Sequence, residues 1–142
     1  AVVNAAKAAY LARPQVFAAY SKAEVIAVPM PSGPPDRWSI IQRVRASFDA
    51  RRSGDLYVVL KEHVSPIPVA SAGYAATHGS PWDYDRRVPI IFWRKGRPGG
   101  RSDLAVETVD IMPTLAAMIG LRLTAGPGEG RCLGAAGSAC PR

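Results

Sequence analysis

Apolar positions along this chain follow two periods, and the switches between them mark the elements. Val3, Ala6 and Tyr10 fall at helical spacing within residues 2–12, and Arg13-Pro14 stops that helix because a residue preceding proline is driven out of the α region. Residues 16–20 are short, apolar and aromatic, as a strand is. Ser21 with Glu24 three residues on has the spacing of a capping box, which predicts a helical turn reaching Val28 before the breaker-rich loop 29–35. Asp36 is then the expected N-cap of a longer helix whose apolar positions Trp38, Ile41, Val44 and Phe48 share a face, with Arg43 on the other side. Arg51 and Arg52 stand at its carbonyl end and Gly54 closes it.

Residues 55–63 carry Leu56, Tyr57, Val58, Val59 and Leu60 in succession, an unbroken apolar run that suits an interior strand covered on both faces. A second run, 88–93, contains Pro89, which points to an edge or strand-start position. After the basic Gly/Pro loop 94–101 comes a last helix within 107–120. Asp110 is its N-cap, Pro113 lies in its first turn, Ile111, Leu115, Met118 and Ile119 form its apolar face, and Gly120 ends it. From Thr124 onward the chain is Gly/Ala-rich and poor in large apolar residues, so the expected division is a folded segment, 1–123, and a tail, 124–142.

A length of 142 residues, nearly half of them apolar, suffices for one domain with a core and argues against disorder. No apolar run approaches the roughly 20 residues of a membrane span, and no signal-peptide pattern opens the chain, so no membrane partner is expected. The chain starts at Ala1, inside a helical pattern and without an initiator methionine, so an upstream portion is expected to have been lost or processed away. The net charge of +7 suits a phosphate-bearing or acidic partner. Its arginines are scattered, however, and no basic run is interleaved with aromatics, so a solvated basic surface is expected rather than a nucleic-acid site. Cys132 and Cys140 are close enough in sequence for a local disulfide in an oxidising compartment; the alternative is a pair of free thiols.

The candidate chemistry centres on residues 77–85, Thr-His-Gly-Ser-Pro-Trp-Asp-Tyr-Asp, which set one of the chain's two histidines beside a glycine. A neutral imidazole is a good zinc ligand when its second nitrogen is held by a hydrogen bond, and Asp83 and Asp85 stand near enough to supply one. They serve equally well as turn formers, and a lone histidine such as His78 is more commonly one satisfied within the fold than a metal ligand. Trp82 and Tyr84 pack around the histidine loop or line a cleft; Arg86 and Arg87 pair with surface acids rather than hold phosphate.

Read through Trp93, followed by Glu-Thr-Val-Asp-Ile-Met-Pro-Thr-Leu-Ala-Ala-Met-Ile-Gly at 107–120, this stretch resembles the C-terminal end of the alkaline phosphatase superfamily. It is most similar to bacterial periplasmic enzymes related to the nucleotide pyrophosphatase/phosphodiesterases. The resemblance implies an α/β fold, here a partial layered sheet with flanking helices. It also implies a two-zinc site, in which a threonine or serine attacks phosphorus to form a phospho-enzyme that water then hydrolyses. His78 matches the histidine of the family's final His-Gly motif, a ligand to one zinc. His63 matches no ligand position, and Thr77 matches the residue before the ligand rather than the nucleophile.

The nucleophile, the remaining metal ligands and the phosphate-contacting residues of the family have no counterpart here. The expectation is therefore the C-terminal part of a zinc-dependent phosphomonoesterase, or phosphodiesterase, of the periplasm or the exterior. It would be inactive alone, and its partners would be the phosphate ester and the missing N-terminal part of the same protein. The alternative is a non-catalytic α/β interaction domain or self-associating fragment, whose sheet edges invite pairing with a second copy.

Overall fold

A computed structural model describes residues 1–67, 69, 71, 73, 76–96, 98–123, 130–134 and 140. Helices α1 (Val2–Leu11), α2 (Lys22–Ala27), α3 (Ile40–Ala46), α4 (Asp83–Arg86) and α5 (Ile111–Met118) are combined with strands β1 (Val16–Ser21) and β2 (Leu56–Leu60). The chain divides into two compact units, Ala1–Gly33 with Arg37–Pro89, and Pro34–Asp36 with Ile90–Arg142.

In the first unit β1 and β2 pair antiparallel across the intervening helices, from Val16 opposite Leu60 to Ser21 opposite Leu56. The register shifts between Val16 and Ala18, leaving Phe17 as the extra residue of a bulge. Among the described residues this is a two-stranded sheet. The interior position expected for 56–60 is not reached, for only Val59 of β2 is fully buried. The run 88–93 forms no strand. Mixed helix and strand fits the expected α/β class.

Ser21 begins α2 as its spacing predicts. Its hydroxyl accepts from the Glu24 amide, and the Glu24 carboxylate accepts from the Ser21 amide. Glu24 also takes a bond from Lys7 Nζ at 2.6 Å, which ties α1 to α2. The Lys7 ammonium is the main reason that the Glu24 carboxyl lies at about 2, with the Ser21 bonds adding to it. α1 itself buries no residue.

The helix expected from Asp36 to Gly54 is shorter at both ends. Asp36 lies in a 3-10 turn, Pro35–Arg37, and the N-cap of α3 is Ser39, whose amide and hydroxyl both donate to Gln42 Oε1 at 2.8 and 3.0 Å. α3 stops at Ala46 because Asp49 offers local backbone partners: its Oδ1 accepts from the amides of Arg51 and Arg52 at 2.8 and 3.0 Å, building a turn. The expected apolar face survives these corrections in part. Trp38, Val44 and Phe48 are buried although two of them lie outside the helix, and Val25, Val44, Phe48 and Val59 form one cluster flanked by Ala18, Tyr20, Ile40, Tyr57 and Trp82.

In the second unit Gly120 ends the last helix as expected. With φ of 74°, it lets the Leu121 amide reach Ala116 O at 2.9 Å and its own amide reach Ala117 O at 3.1 Å, a Schellman motif. Arg94 Nη1 adds a bond of 2.6 Å to Met118 O, placing a cation at the carbonyl end. The buried side of α5 is not the predicted one: Thr114 and Ala116 are buried, whereas Leu115 and Ile119 are exposed. Asp110 occupies the N-cap position, but its own helical φ and ψ keep its carboxylate from capping α5.

That carboxylate, with no exposed surface, instead accepts from the amides of Glu107 and Arg131 at 3.0 and 2.6 Å and from Arg131 Nη2 at 2.9 Å. Burial pushes its pKa up, but the bonds from Arg131 and Glu107 outweigh this and leave it below the usual carboxylate range. Thr114 Oγ1 donates to Asp110 O and accepts from the Leu133 amide at 2.9 Å. Residues 130–133, within the stretch expected as a tail, are thus fastened to α5. Cys132 and Cys140 form a disulfide. Residues 124–129, 135–139, 141 and 142 of that stretch lie outside those described.

Two substitutions check this packing. Val44→Ala removes two methyl groups from a fully buried site and should lower the unfolding free energy in urea by about 2–3 kcal/mol. At Gly130 an added Cβ would meet Val109 O at 2.0 Å, so Gly130→Ala should free the Arg131 and Leu133 amides, read as loss of their hydrogen-exchange protection.

Candidate functional site

The loop bearing His78 is fixed on the side that leads into α4. Trp82 Nε1 donates to Leu60 O at 2.9 Å, its ring packs on the core cluster, and Phe17 meets it edge-on with centroids 5.0 Å apart. The β1 bulge therefore presents the aromatic partner that steadies the loop. Trp82 thereby takes the packing role expected of it.

Arg43 holds the same segment from α3. Its Nε donates to Trp38 O at 2.8 Å, its Nη1 donates to Pro81 O at 3.0 Å, and Nη1 lies 3.1 Å from Asp83 Oδ1. Expected on the far side of its helix, this side chain is only 13% exposed. Burial lowers its pKa and Arg86 repels it, while Asp83 acts in the opposite sense. Asp83 in turn accepts from Arg86 Nε at 3.1 Å and stands 3.5 Å from Arg87 Nη2. Arg86 and Arg87 thus pair with a neighbouring acid, as expected. The Arg86 bond is the leading reason that the Asp83 carboxyl lies below its usual range.

Asp85 secures the turn next to His78. Its Oδ2 accepts from the Ser80 amide at 2.6 Å, and that bond chiefly holds its carboxyl below the usual range; the Gly79 amide and the charge of His78 act the same way. Gly79 has φ of 106°, a conformation that L side chains rarely adopt, which explains the glycine after the histidine. Of the two aspartates proposed as acceptors, Asp85 bonds the loop backbone, whereas Asp83 pairs with the side chains of Arg43, Arg86 and Arg87.

His78 is exposed and lines a cleft of about 400 Å³ together with Thr77, Asp85, Tyr84, His63 and residues of β2. His63 is exposed there with φ of 62°, and its ring stacks on Tyr84 with centroids 4.8 Å apart. This pairing, like the reach of Arg43, has no local signal in the sequence, because each joins residues far apart in the chain. Among the described residues no three His, Cys, Asp or Glu side chains gather into a group able to hold a metal ion. An accessible imidazole on a secured turn, beside a carboxylate already bonded to that turn, has the chemistry of a single metal ligand and not of a complete site.

The relatives found by comparison with known proteins are alkaline phosphatases. No protein-family profile matches the chain. It is 57% identical over 123 residues to alkaline phosphatase PhoK of a Sphingomonas species, a match covering 86% of the chain and 22% of that protein. It is 48% identical over 132 residues to alkaline phosphatase PhoD of Zymomonas mobilis, covering 93% of the chain and 23% of the relative. Alkaline phosphatase PhoV of Synechococcus elongatus is 30% identical over 88 residues, 61% of the chain and 15% of the relative. The chain spans under a quarter of the length of these relatives. The similarities support the resemblance to part of an alkaline phosphatase that residues 77–93 and 107–120 suggest.

The Asp85 contact has a defined pH dependence. Its folded pKa lies below the ordinary 3.8, so its contribution is complete above that value and lost as pH falls through the folded one. The Ser80 amide resonance should therefore titrate with a midpoint below 3.8 in an NMR pH series, and Asp85→Ala should abolish that titration.

Proposed function

We propose that this chain is the C-terminal part of a zinc-dependent phosphate-ester hydrolase of the alkaline phosphatase superfamily, in its nucleotide pyrophosphatase/phosphodiesterase-like branch. His78 supplies one zinc ligand, and the nucleophile and other ligands come from the remainder of the protein. The substrate is a phosphomonoester, hydrolysed through a phospho-enzyme, and the chain is silent by itself. The observation that carries this reading is the exposed imidazole of His78 on a secured turn at a cleft, within a chain 57% identical to part of an alkaline phosphatase.

When bound, paired zinc ions supply Lewis acidity that lowers the pKa of nucleophile and water and offsets the charge of the phosphoryl oxygens. The chain's own residues orient the ligand. Asp85 holds the Ser80 amide, Gly79 provides the left-handed step, and Trp82 ties the loop to Leu60 O, so the imidazole is presented from a fixed backbone. The Cys132–Cys140 disulfide suits an oxidising compartment and supports a periplasmic or extracellular location.

The test is a chimera in which this chain replaces the matching stretch of the Sphingomonas enzyme. It should hydrolyse p-nitrophenyl phosphate, and His78→Ala should lower kcat/KM by about a hundredfold or more and remove bound zinc, as expected for a lost metal ligand. Turnover by the 142-residue chain with zinc alone would refute the reading, and so would a His78→Ala chimera that keeps its zinc and activity.

A further inference from the structure

Arg43 joins three places that the sequence keeps apart. Its guanidinium donates to Trp38 O ahead of α3 and to Pro81 O in the histidine loop, and it pairs with Asp83 at the start of α4. The side chain is 13% exposed, and these contacts lie between 2.8 and 3.1 Å. A planar guanidinium can serve two carbonyls and a carboxylate in different directions at once; an ammonium is a point charge on a flexible stem and cannot reproduce that fork. Pro81 lies three residues after His78, between Ser80, held by Asp85, and Trp82, held by Leu60 O. Of these attachments, the one through Arg43 fixes the loop to the helix that carries the core residue Val44.

We propose that Arg43 is a positioning residue for His78, setting where the imidazole stands in the cleft by fastening Pro81 and Asp83 to α3. The proposal rests on His78 being a zinc ligand. Arg43 touches neither substrate nor metal in this role; it acts through the backbone of the loop. Residues that orient metal ligands from behind change metal affinity by about 10–100-fold when replaced.

The experiment combines two readouts. In the 142-residue chain, hydrogen exchange at the Gly79 and Ser80 amides is compared among wild type, Arg43→Met, Arg43→Lys and the exposed control Arg52→Met. In the chimera, the free zinc needed for half-occupancy is measured by competition with a chelator, alongside kcat and KM. Arg43→Met should speed exchange and raise the zinc requirement, each about tenfold, with kcat restored by excess zinc, KM unchanged and the control silent. Arg43→Lys should recover only part of the loss.

Unchanged exchange in a folded Arg43→Met chain overturns the clamp. Faster exchange with an unchanged zinc requirement overturns the positioning role. Should Arg43→Met fail to fold, Asp83→Asn, which weakens the same attachment, must shift both readouts in the same direction or the proposal falls. A His78→Ala chimera that keeps its full zinc content instead refutes the ligand assignment, whatever the exchange data show.

Discussion

A largely buried guanidinium is tolerated only where its donors are taken up, and Arg43 meets that condition with groups from separate parts of the chain. Around this contact the first unit is small in apolar terms. Val25, Val44, Phe48 and Val59 make one cluster, and Trp82 closes one side of it while binding Leu60 O. The histidine loop is consequently attached both to the sheet, through Trp82, and to α3, through Arg43. Apolar packing selects the neighbourhood, and directional bonds select the backbone path within it. That combination lets an exposed imidazole sit on a loop without depending on its own contacts for placement.

The second unit uses different physics. Its last helix buries Thr114 and Ala116 rather than a stripe of large apolar residues, and a carboxylate without solvent gathers amide and guanidinium donors around it. The approach of Gly130 to the Val109 carbonyl leaves no room for a side chain. Polar satisfaction and close backbone contact replace hydrophobic area there, and Ile91, Trp93, Leu104 and Ile119 remain exposed.

Short-range signals in the sequence have direct structural counterparts. The Ser21–Glu24 box, the strand at 16–20, the stop at Gly120 and the apolar content of 56–60 each depend on a few adjacent residues, and each has its counterpart. Boundaries were less legible where two local preferences compete: Asp36 and Ser39 both suit a helix start, and Asp49 diverts the chain into a turn before Arg51 and Arg52 can serve as helix-terminal cations. The run 88–93 shows that apolar content does not by itself make a strand, since a strand needs a partner in hydrogen-bond reach. At the site, the Gly79 turn and the proximity of Asp85 follow from spacing. Arg43, the His63–Tyr84 stack and the Asp110–Arg131 pair link positions 38, 21 and 21 residues apart and carry no periodic mark.

The disulfide has a topological consequence. Cys132 lies between the two residues whose amides bind Asp110 and Thr114, and its bond to Cys140 closes a covalent ring over the intervening residues. Hydrolysis of one peptide bond inside that ring leaves both ends joined through sulfur. A nick there therefore releases no piece of polypeptide: the residues after the cut stay tethered to Cys132, next to the Arg131 anchored on the buried carboxylate, until the sulfur bridge is opened as well.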